Sequence, residues 1–553
     1  MRGLMNLGVV ALMVGCKEEP EPSPDNTVAV CTADAVPVEA TQVEGWREDG
    51  TFISAGGRLV APAGPSTLLD SMPIDIVLHP SGLFAYVPLA ERGTRLLAVV
   101  DLDRLETIQV LDQDFNHHGI VVDPDGDRLF AAGGGSGTLE VFDILDDGTL
   151  AAAEVLEISD NVAGVAMSDD GALLWVGDFG DDVITELDVE TLAVTRTIPL
   201  SVGVWDIVHL PGRQELYVSD LSSDGIAVVD LDAGEEAAVI DVPTSPAGLV
   251  ASTDEATVYA AVSNGDVVVA IDADSRAVSQ AAQVTEDDLL DSDGLPLPNS
   301  NVTAVALDAS GQRLFAARGS DNAISVLDAD TLERLGAFPS AMYPTELVFA
   351  PDGQLVIVEY KGAGMSQYAG SLTVVDVGSL DLDATTAEVS RLYASPTERY
   401  PFSCDDFFPI PSKPGQTSPI EHVVLVVKEN KTLDCLFGDM ELEDFDVDPE
   451  FLRWPPEATV NQRALIREFN IADNFYVDTV ESDSGHLFLT STHLTHYTEW
   501  LWSDSARGNA SISWPLADIN LPTVGNFFTH LLNEGKTIQI YGEIVGTFAE
   551  ADG

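Results

Sequence analysis

The chain has 553 residues, of which 45% are hydrophobic, so it is long enough for several domains with substantial cores and is not disordered as a whole. Its 25 Lys and Arg residues oppose 92 Asp and Glu residues, which leaves a net charge of −67 at pH 7. A surface of this sign repels nucleic acids and anionic lipid head groups, so neither is an expected partner. Many of the acidic residues stand in turn sequences such as DPDGD at 123–127 and LDADT at 327–331, where Asp side chains accept backbone N–H groups.

The first residues have the organisation of an export signal. Arg2 precedes an apolar run at residues 7–15, which is too short to span a bilayer but long enough for the core of a signal peptide. The sequence MVGC at residues 13–16 resembles a lipobox, in which the cysteine, here Cys16, is lipidated. We therefore expect a signal peptide over residues 1–16 and an exported protein held at the bacterial cell envelope by a lipid. An ordinary signal peptide that is cleaved nearby is the alternative.

The remaining features of the N-terminal region fit an exported protein. Residues 17–48 begin with the charged, proline-rich sequence KEEPEPSPDN, as expected for a solvated tether. No later apolar stretch approaches the ~18 residues of a transmembrane helix, so membrane contact is expected only through the lipid anchor. Export permits a disulfide, and Cys31 and Cys404, which flank the repeat region described next, are candidates for a pair, with free thiols as the alternative. Cys435 is expected to be a free, partly buried thiol that packs rather than reacts.

Residues 49–400 repeat a pattern of an apolar strand, a polar turn and a second apolar strand. Seven units carry this pattern, among them PIDIVLHPSGLFAYV from Pro73 and PTELVFAPDGQLVIV from Pro344. The turn glycines of the first four units, which end with Gly212, are 44, 45 and 41 residues apart, and Glu255 takes the equivalent place in the fifth unit. Each unit is followed by a β-rich run that ends in Asp before a turn. A period of this length is typical of one four-stranded propeller blade.

These repeats resemble the YVTN-type β-propellers of bacterial surface proteins, and seven units predict an all-β, seven-bladed propeller. A single blade cannot bury both of its faces, so neighbouring blades must stack into a closed ring. The segment FISAGGRLV at residues 52–60 is expected to supply the strand that closes the ring, and residues 281–300 are expected to form an exposed loop. The ligand of a propeller does not follow from its fold. His117, His118 and Trp205 lie near blade starts, and we interpret them as loop and packing residues, with a channel ligand as the alternative.

The sequence changes character after the repeats. Residues 401–419 form a linker that is rich in Pro, Gly and Ser, and the β-branched run at 423–427 predicts a buried parallel strand. This run ends at Lys428, Glu429 and Asn430, and ligands of open α/β sheets bind beyond the carboxyl ends of the strands. A carboxylate and an amide at this position are suited to a divalent metal ion. A strand followed by a helix N-cap is the alternative.

Five ordered blocks in residues 420–553 resemble the bacterial phosphoesterases of the alkaline phosphatase superfamily, which include phospholipase C and acid phosphatase types. The blocks are KENKTLDC from Lys428, VNQRALIR from Val460, ADNFY from Ala472, SDSGH from Ser482 and IYGEI from Ile540. They are similar in particular to the subgroup in which this domain follows a YVTN-type propeller. The resemblance implies a multidomain chain, in which a seven-bladed propeller precedes the N-terminal part of an α/β alkaline-phosphatase-like domain that acts on a phosphate ester.

The resemblance also implies roles for individual residues and a divalent metal ion as cofactor. Ser482 matches the hydroxyl nucleophile, whose pKa the metal lowers and which it aligns with phosphorus. Glu429 and Asn430 match the pair that binds the metal and positions the phosphate. His486 is a candidate for phosphate contact or packing, and Thr432 for a reserve nucleophile or a helix cap. The alternative for Ser482 is a plain helix N-cap.

Two further histidines, His493 and His496, follow His486 and would share roughly one helix face with it if residues 485–500 were helical. No carboxylate stands at clear ligand spacing, so we expect core or surface histidines there and not a zinc site.

The match stops before the second cluster of metal ligands that these phosphoesterases carry, because residues after Glu543 contain no acidic pair with histidines. A phosphoryl-transfer site needs such carboxylates to hold its metal. We therefore expect this chain to be a fragment of a longer hydrolase, with little turnover of its own. The alternative is a surface protein whose propeller binds an unknown ligand or acts as a scaffold, with a non-catalytic phosphoesterase remnant.

Overall fold

The structure is a computed structural model. It describes residues 10–12, 45–47, 51–54, 59–91, 94–113, 118–151, 154–285, 300–362, 369–393, 418–428, 431–442, 445–469, 471–473, 482–500, 518–523 and 525–541. The chain forms two compact units, one of Val36–Phe402 with Thr479–Gly525, and one of Met1–Ala35, Ser403–Asp478 and Asn526–Gly553. The predicted lipidation site Cys16 and the candidate disulfide partners Cys31 and Cys404 lie outside the described residues.

Five short strands precede the first blade. They are β1 (Val10–Leu12), β2 (Gly45–Trp46), β3 (Phe52–Ile53), β4 (Leu59–Val60) and β5 (Ser66–Leu68). Strands β2, β3 and β4 form an antiparallel sheet of their own.

Seven four-stranded antiparallel sheets follow the seven sequence repeats, which confirms the predicted seven-bladed β-propeller. The first blade consists of β6 (Val77–Leu78), β7 (Phe84–Glu91), β8 (Thr94–Asp101) and β9 (Glu106–Asp112), and the second of β10 (Ile120–Val122), β11 (Arg128–Ala132), β12 (Thr138–Asp143) and β13 (Glu154–Glu157). The third blade consists of β14 (Val162–Met167), β15 (Leu173–Asp178), β16 (Val183–Asp188) and β17 (Ala193–Pro199). The fourth consists of β18 (Asp206–Leu210), β19 (Glu215–Ser219), β20 (Gly225–Asp230) and β21 (Glu235–Asp241). The fifth blade consists of β22 (Pro246–Ala251), β23 (Thr257–Val262), β24 (Val267–Asp272) and β25 (Ala277–Gln283), and the sixth of β26 (Val302–Leu307), β27 (Arg313–Arg318), β28 (Ala323–Asp328) and β29 (Arg334–Pro339). The seventh consists of β30 (Met342–Phe349), β31 (Leu355–Gly362) and β32 (Ser371–Val375) together with β5.

The turn between the first two strands of each blade requires a residue with positive φ, which glycine adopts without a steric cost. Gly82 has a φ of 73° in the first blade. Glu255, with φ of 56°, takes this place in the fifth blade, as the repeat alignment predicts. In the fourth blade the left-handed residue is Gln214, with φ of 54°, and not the predicted Gly212. The N–H of Gln214 donates to the carbonyl of Pro211 at 3.4 Å, which closes the turn at this later position.

Aspartates at the blade turns accept backbone N–H groups, which confirms the turn chemistry expected from the sequence. Asp123 Oδ1 accepts from the N–H of Asp127 at 2.8 Å, and Asp328 Oδ1 accepts from that of Thr331 at 2.9 Å. The Thr331 hydroxyl also donates to Asp328 and lowers the pKa of that carboxyl. Part of the large acidic content is therefore used to hold turns.

Buried apolar clusters lie between neighbouring blades. One cluster joins Trp175 and Ile184 of the third blade to Leu216 and Val218 of the fourth. Equivalent clusters join the other pairs of neighbours, including the seventh blade and the first. Each blade thus buries both faces against its neighbours, as the repeat argument requires.

The ring is closed by β5, which pairs with β32 of the seventh blade. Leu68 pairs with Ser371, and the hydroxyls of Ser66 and Thr373 are 2.8 Å apart. The prediction that residues 52–60 close the ring is wrong. Phe52 and Val60 pair with each other across β3 and β4, so their backbone groups are already used within that hairpin.

A helix follows the last blade and packs on the sixth. Helix α1 (Leu382–Tyr393) contacts β29, where Thr386 Oγ1 accepts from the N–H of Ala337 at 2.8 Å. Most of the predicted exposed loop, residues 286–299, lies outside the described residues.

The remaining elements are short. They are β33 (Val426–Val427), α2 (Leu433–Phe437), α3 (Val460–Glu468), α4 (Ser482–Ser491), α5 (His496–Trp500), α6 (Phe527–Asn533) and β34 (Ile540–Tyr541), with 3-10 turns at Pro449–Phe451, Pro456–Ala458 and Asp518–Asn520. Strand β1 lies between β33 and β34 and is antiparallel to both. Across the described part of the chain, no helix combines the length and apolarity that a membrane span requires.

The structure does not show the buried parallel strand predicted at residues 423–427, of which only Val426 and Val427 form a strand. Val426 pairs antiparallel with Ala11 and is 58% exposed. A continuous β-branched run is buried only where other elements cover both faces of its sheet. A sheet of two- and three-residue strands offers no such cover.

Candidate functional site

Most of the predicted phosphoesterase side chains lie outside the described residues, so their mutual arrangement stays a prediction. Glu429 and Asn430 lie outside the described residues, and Ser482 is the first residue of α4 but its side chain is outside them. Thr432 caps α2, because its Oγ1 accepts from the N–H of Cys435 at 3.4 Å, as its helix-cap interpretation requires. Cys435 is a free, partly buried thiol, as predicted.

The three histidines near the SDSGH block do not share one helix. Helix α4 ends at Ser491, and Thr492 follows with a φ of 56°, so residues 485–500 are interrupted. His486 is half-buried on α4, whereas His493 and His496 are buried. The expectation of core histidines is confirmed for His493 and His496.

Residues 494–500 and 518–523 belong to the same compact unit as the propeller and pack on it. The polar contacts are Asn301 Nδ2 to Leu494 O at 2.8 Å, Tyr343 OH to His496 Nδ1 at 3.2 Å, Lys361 Nζ to Glu499 Oε2 at 2.8 Å, and Asn264 Nδ2 to Leu521 O at 3.0 Å. Burial, together with a smaller effect of His118, lowers the pKa of His496 to about 3. We call residues 494–500 and 518–523 together the covering segment.

The first strands of the seven blades converge on a cavity of about 400 Å³. Every blade contributes to its lining, from Ile76 before β6 to Leu347 of β30. The lining is apolar apart from four titratable side chains: Asp75, His118, Asp206 and Glu346. This cavity is the central channel of the propeller, where ligands of such rings bind.

Three of these four residues occupy the same position of the repeat. Asp75, Asp206 and Glu346 each stand directly before an apolar residue at the start of their blade. The other four units have a small residue at this position: Gly119, Gly164, Gly248 and Ala304. Carboxylates from three blades therefore share one level of the channel, and the small residues of the other blades leave the space beside them.

Asp75 is held in place by backbone donors. It is buried, its Oδ1 accepts from the N–H of Ile76 and its Oδ2 accepts from that of Gly119, both at 2.7 Å. Gly119 has a φ of 117°, and a Cβ there would lie 2.8 Å from the backbone nitrogen of Gly164. Glycine is thus needed at this position for the second blade to approach the third this closely.

His118 lies between two of the carboxylates. Its Nδ1 is 3.4 Å from Asp75 Oδ2 and its Nε2 is 4.0 Å from Asp206 Oδ1. The ring is buried and stacked on Trp205, with centroids 5.0 Å apart. The stacking fixes the plane of the imidazole, so both ring nitrogens face acidic groups.

Asp206 and Glu346 complete the cluster. Asp206 Oδ1 accepts from the N–H of Ile207 and Oδ2 from that of Leu249, both at 2.8 Å. Glu346 Oε1 accepts from the N–H of Leu347 at 3.1 Å. We call Asp75, His118, Asp206 and Glu346 the channel cluster.

The channel cluster contains three carboxylates but only one side chain, His118, that can carry a positive charge. Burial raises the pKa of the Glu346 carboxyl well above its usual range, and the charges of Asp75 and Asp206 raise it further. Burial also raises the pKa of Asp75, although His118 and two backbone N–H groups act in the opposite direction. These groups can exchange protons or bind a cation. The described lining contains no hydroxyl or thiol, so its polar chemistry rests on the three carboxylates and the imidazole.

Sequence patterns alone assign His118 and Trp205 to packing and do not identify the three carboxylates. The signal that could have found them is the alignment of the seven repeats with one another. At the position before the first apolar residue of each blade, an acidic residue in three units stands against glycine or alanine in four. Positions that only pack in a core are mostly apolar, so this mixture of acidic and small residues indicates a different role for the three carboxylates.

Comparisons with known proteins identify no family. No protein-family model matches the sequence, and no curated protein matches it. Many solved structures are similar to this chain. One is hydrazine synthase of Kuenenia stuttgartiensis, with 18% sequence identity and a TM-score of 0.47 over 56% of this chain and 96% of that chain. A likeness at this level carries no argument about function.

Proposed function

We propose that this protein is an exported, metal-dependent hydrolase of phosphate esters, held at the bacterial cell envelope by a lipid on Cys16, with the propeller as its binding or scaffold domain. The observation that carries this proposal is the ordered series of five blocks that resembles the phosphoesterases of the alkaline phosphatase superfamily. Blocks with unrelated origins would not recur in the same order over so short a stretch of one chain.

The proposed chemistry assigns a task to each matched residue. The hydroxyl of Ser482 attacks phosphorus, and Asn430 donates a hydrogen bond to a phosphoryl oxygen as negative charge develops there. Glu429 holds the divalent metal ion, which supplies Lewis-acid activation of the nucleophile. The position of Ser482 as the first residue of the ten-residue helix α4 supports this role, because phosphate is attracted to helix N-termini.

Exposed apolar side chains in the described part of residues 418–469 support a domain in which further elements pack on these segments. Val424 is 58% exposed, Leu465 56% and Phe469 63%, although they lie in or beside strand and helix segments. Such side chains are normally covered by further strands and helices of the same domain.

The test is hydrolysis of p-nitrophenyl phosphate and of bis-p-nitrophenyl phosphate by the full-length protein purified from its native cells. We expect turnover that a chelator abolishes and a divalent metal restores. Ser482→Ala should remove turnover, and Glu429→Gln should raise the metal concentration needed for it. Ser491→Ala is the matched control in the same helix, since the Ser491 hydroxyl donates to the carbonyl of Leu487.

Equal turnover in Ser482→Ala and the unmodified protein would refute the nucleophile assignment. If the full-length protein hydrolyses neither ester with any divalent metal added, the alternative applies. The protein is then a surface propeller that binds or scaffolds, with a non-catalytic phosphoesterase remnant.

A further inference from the structure

We propose that the central channel of the propeller binds one divalent transition-metal ion through Asp75, His118 and Glu346, with Asp206 beside them. This site consists of propeller residues only and shares none with the proposed hydrolase. It therefore stands or falls independently of phosphate-ester hydrolysis.

The geometry of the channel cluster matches an ion of this size. The ligand atoms of Asp75, His118 and Glu346 all lie within 4.8 Å of one another. Metal–nitrogen and metal–oxygen bonds of about 2.0–2.2 Å place two ligands of one ion at most about 4.4 Å apart. Side-chain shifts of a few tenths of an ångström would bring all three into the shell of a single ion.

The charges of the site favour a cation. Three carboxylates face one cavity, and in its described lining His118 is the only side chain that can carry a positive charge. Buried carboxylates are normally paired with cations or bound to metals, because an uncompensated buried charge is costly. Backbone N–H groups stabilise these carboxylates in part, and the other side chains of the lining are apolar and carry no charge. A divalent ion would balance the cluster without any change in the fold.

The ligands are oriented by contacts behind them, as metal ligands usually are. Backbone N–H groups from the next blade hold Asp75 and Asp206, and Trp205 fixes the plane of the His118 ring. A glycine or alanine at the equivalent position of four blades keeps the cavity open beside the ligands. Space of about 400 Å³ leaves room for water or a small ligand at the remaining coordination positions.

The ligand types indicate the class of metal. Ca²⁺ and Mg²⁺ are bound through oxygen, whereas an imidazole among carboxylates suits Mn²⁺, Fe²⁺ or Zn²⁺. We therefore expect Mn²⁺ and Zn²⁺ to compete for the site and millimolar Mg²⁺ not to displace them. This selectivity also separates the channel from the many exposed carboxylates of a chain with a net charge of −67.

The experiment is a titration of the chelator-treated, full chain with Mn²⁺, followed by electron paramagnetic resonance in the presence of excess Mg²⁺. One equivalent of Mn²⁺ should bind tightly and be displaced by Zn²⁺. Glu346→Gln and His118→Gln should each weaken binding at least about 100-fold, since even outer partners of metal ligands contribute about 10–100-fold. Glu359→Gln is the control, because Glu359 is a buried glutamate of the same blade that accepts from Ser371 and does not line the cavity.

Two results would overturn the proposal. One is the absence of stoichiometric Mn²⁺ binding above the Mg²⁺-competed background, which would mean that the cluster holds protons. The other is unchanged binding in Glu346→Gln. A second measurement compares each variant with itself, so it remains valid if a substitution changes the stability. Zn²⁺ should raise the thermal unfolding midpoint of the unmodified protein and of Glu359→Gln but not that of Glu346→Gln. An equal rise in all three would also count against the site.

Discussion

The imidazole of His118 lies parallel to the indole of Trp205, with ring centroids 5.0 Å apart and an angle of 7° between their planes. The indole of Trp205 also packs edge to face against the rings of His496 and Phe179, with ring centroids 5.9 Å apart in both pairs. One buried side chain therefore links the channel cluster to the covering segment. The consequences of this arrangement can be measured at Trp205 and at His496.

Replacement of Trp205 should destabilise the propeller strongly. Trp205 is 2% exposed and contacts three rings, so Trp205→Ala leaves a large cavity at the centre of the ring. We expect a loss of about 3–5 kcal/mol in the free energy of unfolding, and a clearly smaller loss for Trp205→Phe, which keeps an aromatic face. Urea unfolding followed by circular dichroism measures both, and similar losses in the two variants would contradict the stacking role.

Acid should destabilise the native state through His496. Burial lowers the pKa of His496 from 6.5 to about 3, so the unfolded chain takes up a proton at a higher pH than the folded chain. The stability that depends on neutral His496 is fully present above about pH 6.5 and is lost at about 1.4 kcal/mol per pH unit as the pH falls towards 3. The stability advantage of the native protein over His496→Gln should therefore shrink between pH 6.5 and 4.

The free energy of unfolding at several pH values, measured for both proteins, tests this expectation. Other titrating groups cancel in the difference. His530→Gln, at an exposed histidine, is the control for the substitution itself. A pH-independent difference for His496→Gln would show that its imidazole titrates normally.

Glu359 should produce the opposite pH dependence. Burial raises its pKa from 4.5 to about 7, although the Ser371 hydroxyl donates to it at 2.7 Å and lowers that value. The folded chain keeps this proton when the unfolded chain has lost it, so stability falls as the pH rises from about 4.5 to 7. Glu359→Gln carries no such charge, so its free energy of unfolding should rise relative to that of the native protein by about 1.4 kcal/mol per pH unit over that range. Unfolding free energies at pH 5 and pH 8 measure the gain, and an equal difference at both would contradict the shift.

Closure of the ring should depend on the backbone of β5. Thr67 pairs with Leu372 of the seventh blade. Proline has no N–H to donate, so Thr67→Pro should cost about 1–3 kcal/mol through an unsatisfied acceptor. Thr67→Ala keeps the N–H and is the matched control. Thermal unfolding midpoints measure the effect, and a midpoint for the proline variant equal to that of the alanine variant would mean that β5 does not stabilise the ring.

The propeller could be predicted from sequence because its signals are local and repeated. Apolar alternation, turn residues with positive φ and the Asp turns recur along the repeats, and Glu255 shows that the register survives the loss of a glycine. The closing strand could not be predicted in this way. Ser66–Leu68 has three residues, two of them exposed, and its partner β32 belongs to the last blade. A longer apolar segment at 52–60 therefore gave the stronger local pattern.

The channel cluster was present in the sequence, but only as a difference between repeats. Asp75, Asp206 and Glu346 have no motif spacing along the chain, and His118 stands one residue away from their repeat position. Their proximity arises because the ring brings first strands from distant blades to one axis. The covering segment shows the same limit, since the contact of His496 with Tyr343 joins residues that are 153 positions apart. Patterns within a window of one strand or helix carry no information on such contacts.

The pairing of β5 with β32 also has a consequence for folding order. The contact between Ser66 and Thr373 spans 307 residues, so it can form only after nearly all of the propeller has been synthesised and, if exported, translocated. Until then the first blade and the seventh each expose a face that the finished ring buries. Contacts of such long separation slow folding, and the same contact then delays opening, because the ring must break there before blades can peel away. The fold thus gains kinetic persistence at the cost of a long interval during which the nascent chain needs protection from aggregation.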